Sequence, residues 1–305
     1  MNKGIKLLAF ATVITVIISC TQKVKSKSDA EDTVNSGSVA IAADESFKPI
    51  LDEEAYVFKA IYTAADPRIN YMTENRVLRQ LLNDSVRVGI LSRGLDSNEV
   101  HIIKKRTLTA QVVPFAVDAV ALIVNKNSND TTITVSQLKK MLNGDTKGTK
   151  NIVFDNPNGS LVRYLKTFAG NINFNGKNIY ALKSNKEVLN YVNLHTDAIG
   201  IIGFSWLNDP DEDYKQAVDN VQIVGVKDEG SKDFGKEYYK PSQSTLDLNQ
   251  YPLSRKLYVI NCTGKLGLGR GFQDFLSGER GQRIILKSGL LPVTIPQRNI
   301  NVKEN

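Results

Sequence analysis

The chain is short of the residues that most chemistry needs. It has two cysteines, two histidines and one tryptophan in 305 residues. Two cysteines cannot build a multi-bridge disulfide framework. His101 and His195 stand in helical stretches with no carboxylate or cysteine at ligand spacing, which argues against a metal centre or a catalytic triad. A hydrolase elbow is missing too, because Gly203-Phe204-Ser205-Trp206 lacks the second glycine of G-x-S-x-G. Gly264, Gly267, Gly269 and Gly271 follow neither a dinucleotide nor a phosphate-loop pattern and read as a flexible turn. Charge of one sign is not in large excess: the formal +7 falls to +5 when Lys3 and Lys6 are set aside. The one dense run, Lys104-Lys105-Arg106, reads as a solvated helix end, so no nucleic-acid partner is expected.

Long apolar runs are also scarce. Leu7 to Ile18 is one, behind the basic Lys3 and Lys6, and it has the length of a signal peptide rather than of a membrane span. It ends at Ile17-Ile18-Ser19-Cys20, which resembles a bacterial lipobox with Ser19 where glycine or alanine is usual. The expectation is a signal peptide over 1–19, cleaved before a lipidated Cys20 that anchors the protein to a membrane. Cys262, in the apolar stretch LYVINC, is then left without a partner and reads as a small buried hydrophobe. Residues 20–38 are polar and read as a flexible tether.

From Val39 the chain repeats one grammar three times: apolar strand, polar junction, helix. Val39–Ala43 leads through Asp44-Glu45-Ser46 into a helix using Phe47, Ile50, Leu51 and Phe58. Arg68–Met72 leads through Thr73 into one using Val77, Leu78, Leu81 and Leu82. Val86–Leu91 leads through Ser92-Arg93 to a helix from about Ser97. Alternating strands and helices predict a mostly parallel sheet in an α/β fold, with ligands at the carboxyl ends of the strands. Val112–Asn125 is a long buried run, broken by Pro114 and Asp118, that reads as one or two strands. Thr134-x-x-Gln137 and Ser184-x-x-Glu187 are capping boxes. Residues 227–250 read as an irregular surface segment, and two amphipathic helices close the chain near 272–276 and 281–287.

A fourth junction is the most telling. Ile152-Val153-Phe154 is a short strand, Asp155-Asn156-Pro157-Asn158-Gly159 a dense turn, and Ser160 starts a helix with Leu161, Tyr164, Leu165 and Phe168 on one face. Such a junction leaves free N–H groups and a positive dipole end at one point, which suits an anion. The same hydroxyls, Ser46, Thr73, Ser92 and Ser160, serve equally as helix caps.

In their order, these junctions resemble the phosphate-binding subunit of bacterial ABC transporters, within the periplasmic binding proteins of the type II fold. Ser46-Phe47, Asn70-Tyr71 with Thr73, Val88–Arg93 with Glu99, the crossover strand with Pro114 and Asp118, Ala198-Ile199-Gly200 and the terminal Gly281-Gln282 carry the likeness. The resemblance implies two lobes, about 39–117 plus 255–305 and 118–254, with a ligand cleft between them and two crossovers as a hinge. It also implies capture of inorganic phosphate or a similar tetrahedral oxyanion, delivery to an ABC permease, an extracytoplasmic monomer, no cofactor and no catalysis. Its ligand residues would be Ser46, Phe47 (through its backbone N–H), Thr73, Ser92, Arg93, Asn158, Gly159 and Ser160. A ligand-sensing or interaction protein on the same scaffold is the alternative.

Two departures bear on the ligand. The arginine usual just upstream of the family's Ser-Gly-Thr is missing, with Phe154 near its place, and Asp44, Glu45 and Glu74 flank the junctions. A buried anion beside uncompensated carboxylates is disfavoured. Either these carboxylates face solvent, or Arg93 offsets one, or the ligand is not phosphate. Arg93 has a second possible partner in Glu99.

Overall fold

The computed structural model describes residues 31–144, 150–170, 174 and 176–294. The expected signal peptide, Cys20 and the first part of the expected tether lie outside the described residues. Strand β1 (Gly37–Asp44) runs through a 3₁₀ turn, Glu45–Phe47, into helix α1 (Lys48–Ile61). Then come β2 (Ala65–Met72), α2 (Glu74–Leu82), β3 (Val88–Leu91) and α3 (Ser97–Lys104). These are the three strand–junction–helix units that the apolar spacing predicts. β1 lies between β2 and β3 and is parallel to both.

The long apolar run is a single strand, β4 (Gln111–Asn125). Its first part pairs antiparallel with β11 (Ser254–Asn261) as far as Ala119, and from Val120 it pairs antiparallel with β8 (Ala198–Gly203). β4 therefore passes from one half of the sheet to the other at Ala119-Val120. β8 continues, in parallel, to β6 (Asn151–Phe154), which pairs with β7 (Ile179–Ala181). The resulting order is β2-β1-β3-β11-β4-β8-β6-β7, a mixed sheet flanked by helices in two lobes. The first half carries α1 to α3. The second carries α4 (Val135–Leu142), α5 (Ser160–Phe168), α6 (Asn185–Leu194) and α7 (Glu212–Asp219), with β9 (Val221–Ile223) antiparallel to the end of β4 and β5 (Thr132–Thr134) paired in parallel with β10 (Gly225–Lys227).

Period-two alternation explains how the first half is covered on both faces. Ile41 and Ala43 enter the main core with Phe47, Ile50 and Phe58, while Ala42 turns to a second cluster with Val77, Leu81, Leu91 and Cys262. Cys262 is buried and unpaired, and burial pushes its thiol up to about 11.

Several sequence readings are corrected. The glycine-rich stretch is not a flexible turn: Gly269 and Gly271 lie inside helix α9 (Leu268–Ser277). A side chain on Gly271 would stand 1.7 Å from the Val34 carbonyl, so this glycine lets the chain at 31–36 lie against the helix. Asp32 accepts the Leu268 N–H at 2.9 Å and pairs with Lys265, so the expected tether is docked from about residue 31 rather than from Val39. Ser184 forms half a capping box; Glu187 takes the Lys183 N–H at 2.9 Å rather than that of Ser184. The 227–250 segment holds a short helix, α8 (Gln243–Asp247), with its own capping box from Ser242 and Thr245. The last helix is α10 (Glu279–Lys287). Among the described residues no helix is long and apolar enough to cross a membrane.

Candidate functional site

The junction after β1 and the junction after β6 meet. Ser46, in the 3₁₀ turn that follows β1, and Ser160, the first residue of α5, place their hydroxyl oxygens 2.9 Å apart. Both are buried. Gly159, at the N-cap of α5, has no side chain to screen the orphan N–H groups of that helix.

The convergence point is filled by the chain's own Asp44. Its Oδ1 accepts the Ser46 N–H at 3.0 Å, the Ser46 hydroxyl at 2.5 Å and the Ser160 hydroxyl at 2.8 Å. Its Oδ2 accepts the Ser160 N–H at 3.2 Å. Arg255 completes the arrangement from β11, donating Nη1 to Ser160 Oγ at 2.8 Å and Nη2 to Ser46 Oγ at 3.2 Å. The proton accounting closes, since each hydroxyl donates to Asp44 and accepts from Arg255. Burial, with Glu74 nearby, raises the Asp44 carboxyl above its ordinary value against the lowering by Ser46, Arg255 and Ser160.

Glu74, the first residue of α2, repeats the pattern. Its Oε1 accepts the Ser92 N–H at 3.1 Å and the Ser92 hydroxyl at 2.9 Å, and Arg163 of α5 is ion-paired to it from the other half. Arg163 also donates to Ser92 Oγ at 2.7 Å. Burial works against the charged form, but the bonds and charge of Arg163, with those of Ser92, hold the Glu74 carboxyl below its ordinary value.

The acidic residues at the junctions thus face inward, and Arg163, not Arg93, offsets Glu74. Arg93 is instead drawn into a two-pronged pair with Glu99 at 2.6 and 2.8 Å. Its guanidinium is held by that structural partner, the second of the two roles the sequence offers it. The ring of Phe47 is buried beneath Arg255, whose guanidinium carbon lies 4.9 Å from the ring centroid. Thr73, Asn158 and Gly159 line an open cleft of about 480 Å³ in front of Asp44. Across it the Asn158 carbonyl accepts the Asn75 N–H.

Four groups that carry this site are absent from the set drawn from the sequence: Arg163, Arg255, Asp118 and Asp155. Asp118, in the middle of β4, holds Arg255 through Nε and Nη2 at 3.0 and 2.8 Å, with both side chains nearly inaccessible. A signal existed, since a lone carboxylate in a fully apolar strand needs a cation. Arg163 had one as well: a cation in the first turn of a helix opposes the dipole and calls for a carboxylate partner. The two arginines supply charge from downstream of the Asn158-Gly159-Ser160 turn and from β11, where the sequence shows none just upstream. Asp155 is 2% exposed, with Oδ1 unpartnered and Oδ2 reached by Asn185 at 3.4 Å. Burial, then Asp44 and Glu45, pushes its carboxyl well above the usual range.

Two lobes joined by a strand that runs through both, with helix starts converging at the seam, define the class of two-lobed binding proteins. Residues 28–279 match the family described as a PBP superfamily domain, and the chain belongs to that family. Among curated proteins it is 25% identical to the phosphate-binding protein PstS of Borreliella burgdorferi over 274 residues, 84% of this chain and 90% of that one. Among solved structures it is similar to a putative phosphate ABC transporter substrate-binding protein with bound phosphate from Clostridium perfringens. That match has a TM-score of 0.66 at 22% identity, covering 85% of this chain and all of the other. An ABC-type phosphate transport receptor from Vibrio cholerae matches with a TM-score of 0.62 at 16% identity, over 84% of this chain and all of the other.

Proposed function

We propose that this chain is a lipid-anchored, extracytoplasmic solute-binding protein. It captures inorganic phosphate, or a related tetrahedral oxyanion, between its lobes and delivers it to an ABC permease without making or breaking a bond. The observation that carries the reading is the 2.9 Å approach of Ser46 and Ser160, each bringing a hydroxyl and a backbone N–H from a different half to one point. Paired hydroxyl and N–H donors at helix starts suit an oxyanion. The names of the relatives support phosphate as that anion. In this reading Ser46, Ser160, Ser92, Thr73, Asn158 and Gly159 form the ligand shell, with Phe47 through its backbone. Lobe I is 39–117 plus 255–305 and lobe II is 118–254, hinged at the two crossovers. Cys20 is the lipid attachment, residues 1–19 are the signal peptide, and the working form is a monomer.

The test is calorimetric titration of the purified protein with phosphate and with sulfate. Heat and a thermal shift with phosphate are expected. Binding of sulfate with no response to phosphate would remove the phosphate assignment while leaving the fold untouched.

One observation favours a second reading, a sensing or interaction protein on the same scaffold: Asp44 and Glu74 already occupy the donors that a solute would use. Under that reading no oxyanion gives heat in the titration.

A further inference from the structure

With Asp44 in the cradle, the space left between the lobes is far larger than one phosphate, and its lining carries charge of both signs. At about 480 Å³ it is lined by the acidic Asp44, Glu45 and Asp155 and by the basic Arg76, Arg79 and Lys183. The three cations are exposed and none is held by an ion pair among the described residues. Arg255, which meets the same two serines as Asp44, is already committed to Asp118, so Asp44, Glu45 and Asp155 outnumber their counter-charge.

Asp155 is the group without an explanation. It is almost wholly buried and lines the cleft, yet Oδ1 has no partner. A buried carboxylate oxygen left unbonded is destabilising, and a donor from a ligand would remove that cost. Gly159 bears on the approach to it. A side-chain carbon there would stand 3.3 and 3.4 Å from the two Asp155 oxygens, and glycine leaves that space open.

We propose that the cleft takes a small zwitterion, an aminoalkyl phosphate or phosphonate, with its ammonium against Asp155 and Glu45 and its phosphoryl group against Arg76, Arg79 and Lys183. This rests on the proposed function only in taking a phosphoryl group as the anionic end. The ammonium supplies the donor that Asp155 lacks and offsets the excess of carboxylates. The three unpaired cations meet the phosphoryl oxygens.

The experiment is calorimetry on the whole protein with O-phosphoethanolamine, 2-aminoethylphosphonate, ethylphosphonate and inorganic phosphate. The two amine-bearing compounds are expected to bind at least about tenfold more tightly than ethylphosphonate, and comparison of the pair separates the ester from the phosphonate. Asp155→Asn should erase the advantage of the amine, bringing the amine-bearing compounds to within about twofold of ethylphosphonate on the same variant. Gly159→Ala, which crowds the same oxygens, is the second variant and should act in the same direction. Equal binding with and without the amine, or tighter binding of inorganic phosphate, overturns the proposal and leaves the phosphate reading standing. No heat from any phosphoryl compound overturns both.

Discussion

At the scale of single residues, Asp44 has the same partners that a bound oxyanion would have: two hydroxyls and two backbone N–H groups. It is attached to the chain, so it fills the cradle at an effective concentration that no free ligand matches. Removing it has opposed consequences. Asp44→Ala strands four buried donors and is expected to lower the stability of the ligand-free protein by roughly 1–3 kcal/mol. The same change opens the cradle to an anion that can bridge Ser46, Ser160 and, through them, Arg255. Millimolar phosphate should therefore raise the melting temperature of the variant more than that of the wild type. A ligand at about 100 times its Kd contributes on the order of 2.7 kcal/mol. If phosphate moves the two melting curves equally, Asp44 is a structural cap and does not compete for the ligand place.

At the scale of elements, helix α1 shows both how far a pattern carries and where it stops. Ile50, Leu51 and Phe58 lie at helical spacing and are buried as that spacing requires. Glu54 lies on the same stripe and is buried with them, both carboxylate oxygens without a partner, and burial beside Glu53 pushes it up to about 10. A carboxyl raised in the folded state binds its proton more tightly there than in the unfolded chain. Stability is therefore greatest below the ordinary carboxylate range and falls as pH rises towards 10, by about 1.4 kcal/mol per unit. Glu54→Gln has no proton to lose, so its stability advantage over the wild type should widen by about that slope between pH 5.5 and 7.5 in urea unfolding. A difference that stays constant across that interval would show that Glu54 finds a partner. The same contrast runs through the fold. Strand and helix positions, the Thr134 box and the order of the junctions are local, and local spacing expresses them. The partners of buried charges are not local: Asp118 and Arg255 are 137 residues apart, Glu74 and Arg163 are 89 apart, and no periodicity links them. The docking of 31–36 on α9 was hidden for the same reason, since Gly271 reads as a turn until the segment that needs its bareness is in place.

At the scale of the molecule, the two halves are tied across the cleft by the chain's own groups. Asp44 reaches Ser160, Glu74 reaches Arg163, Asn185 reaches Glu45 at 2.9 Å and the Trp206 indole donates to the Ser46 carbonyl at 3.0 Å. The Asp118–Arg255 pair braces the point where β4 passes from one half to the other. A ligand shifts an open–closed equilibrium only by the difference in its affinity for the two states. Where internal carboxylates already supply the closing contacts, a solute that replaces them gains little further closure. The ligand-free protein is therefore expected to be compact in small-angle scattering, with nearly the same radius of gyration before and after phosphate is added. The double variant Asp44→Ala/Arg163→Ala removes the two charged ties while sparing the Asp118–Arg255 brace, so it should expand when ligand-free and contract when phosphate bridges Ser46 and Ser160. A wild-type protein that is expanded without ligand, and contracts on phosphate as far as the double variant does, would show that the carboxylates do not latch the lobes and that closure depends on the solute alone.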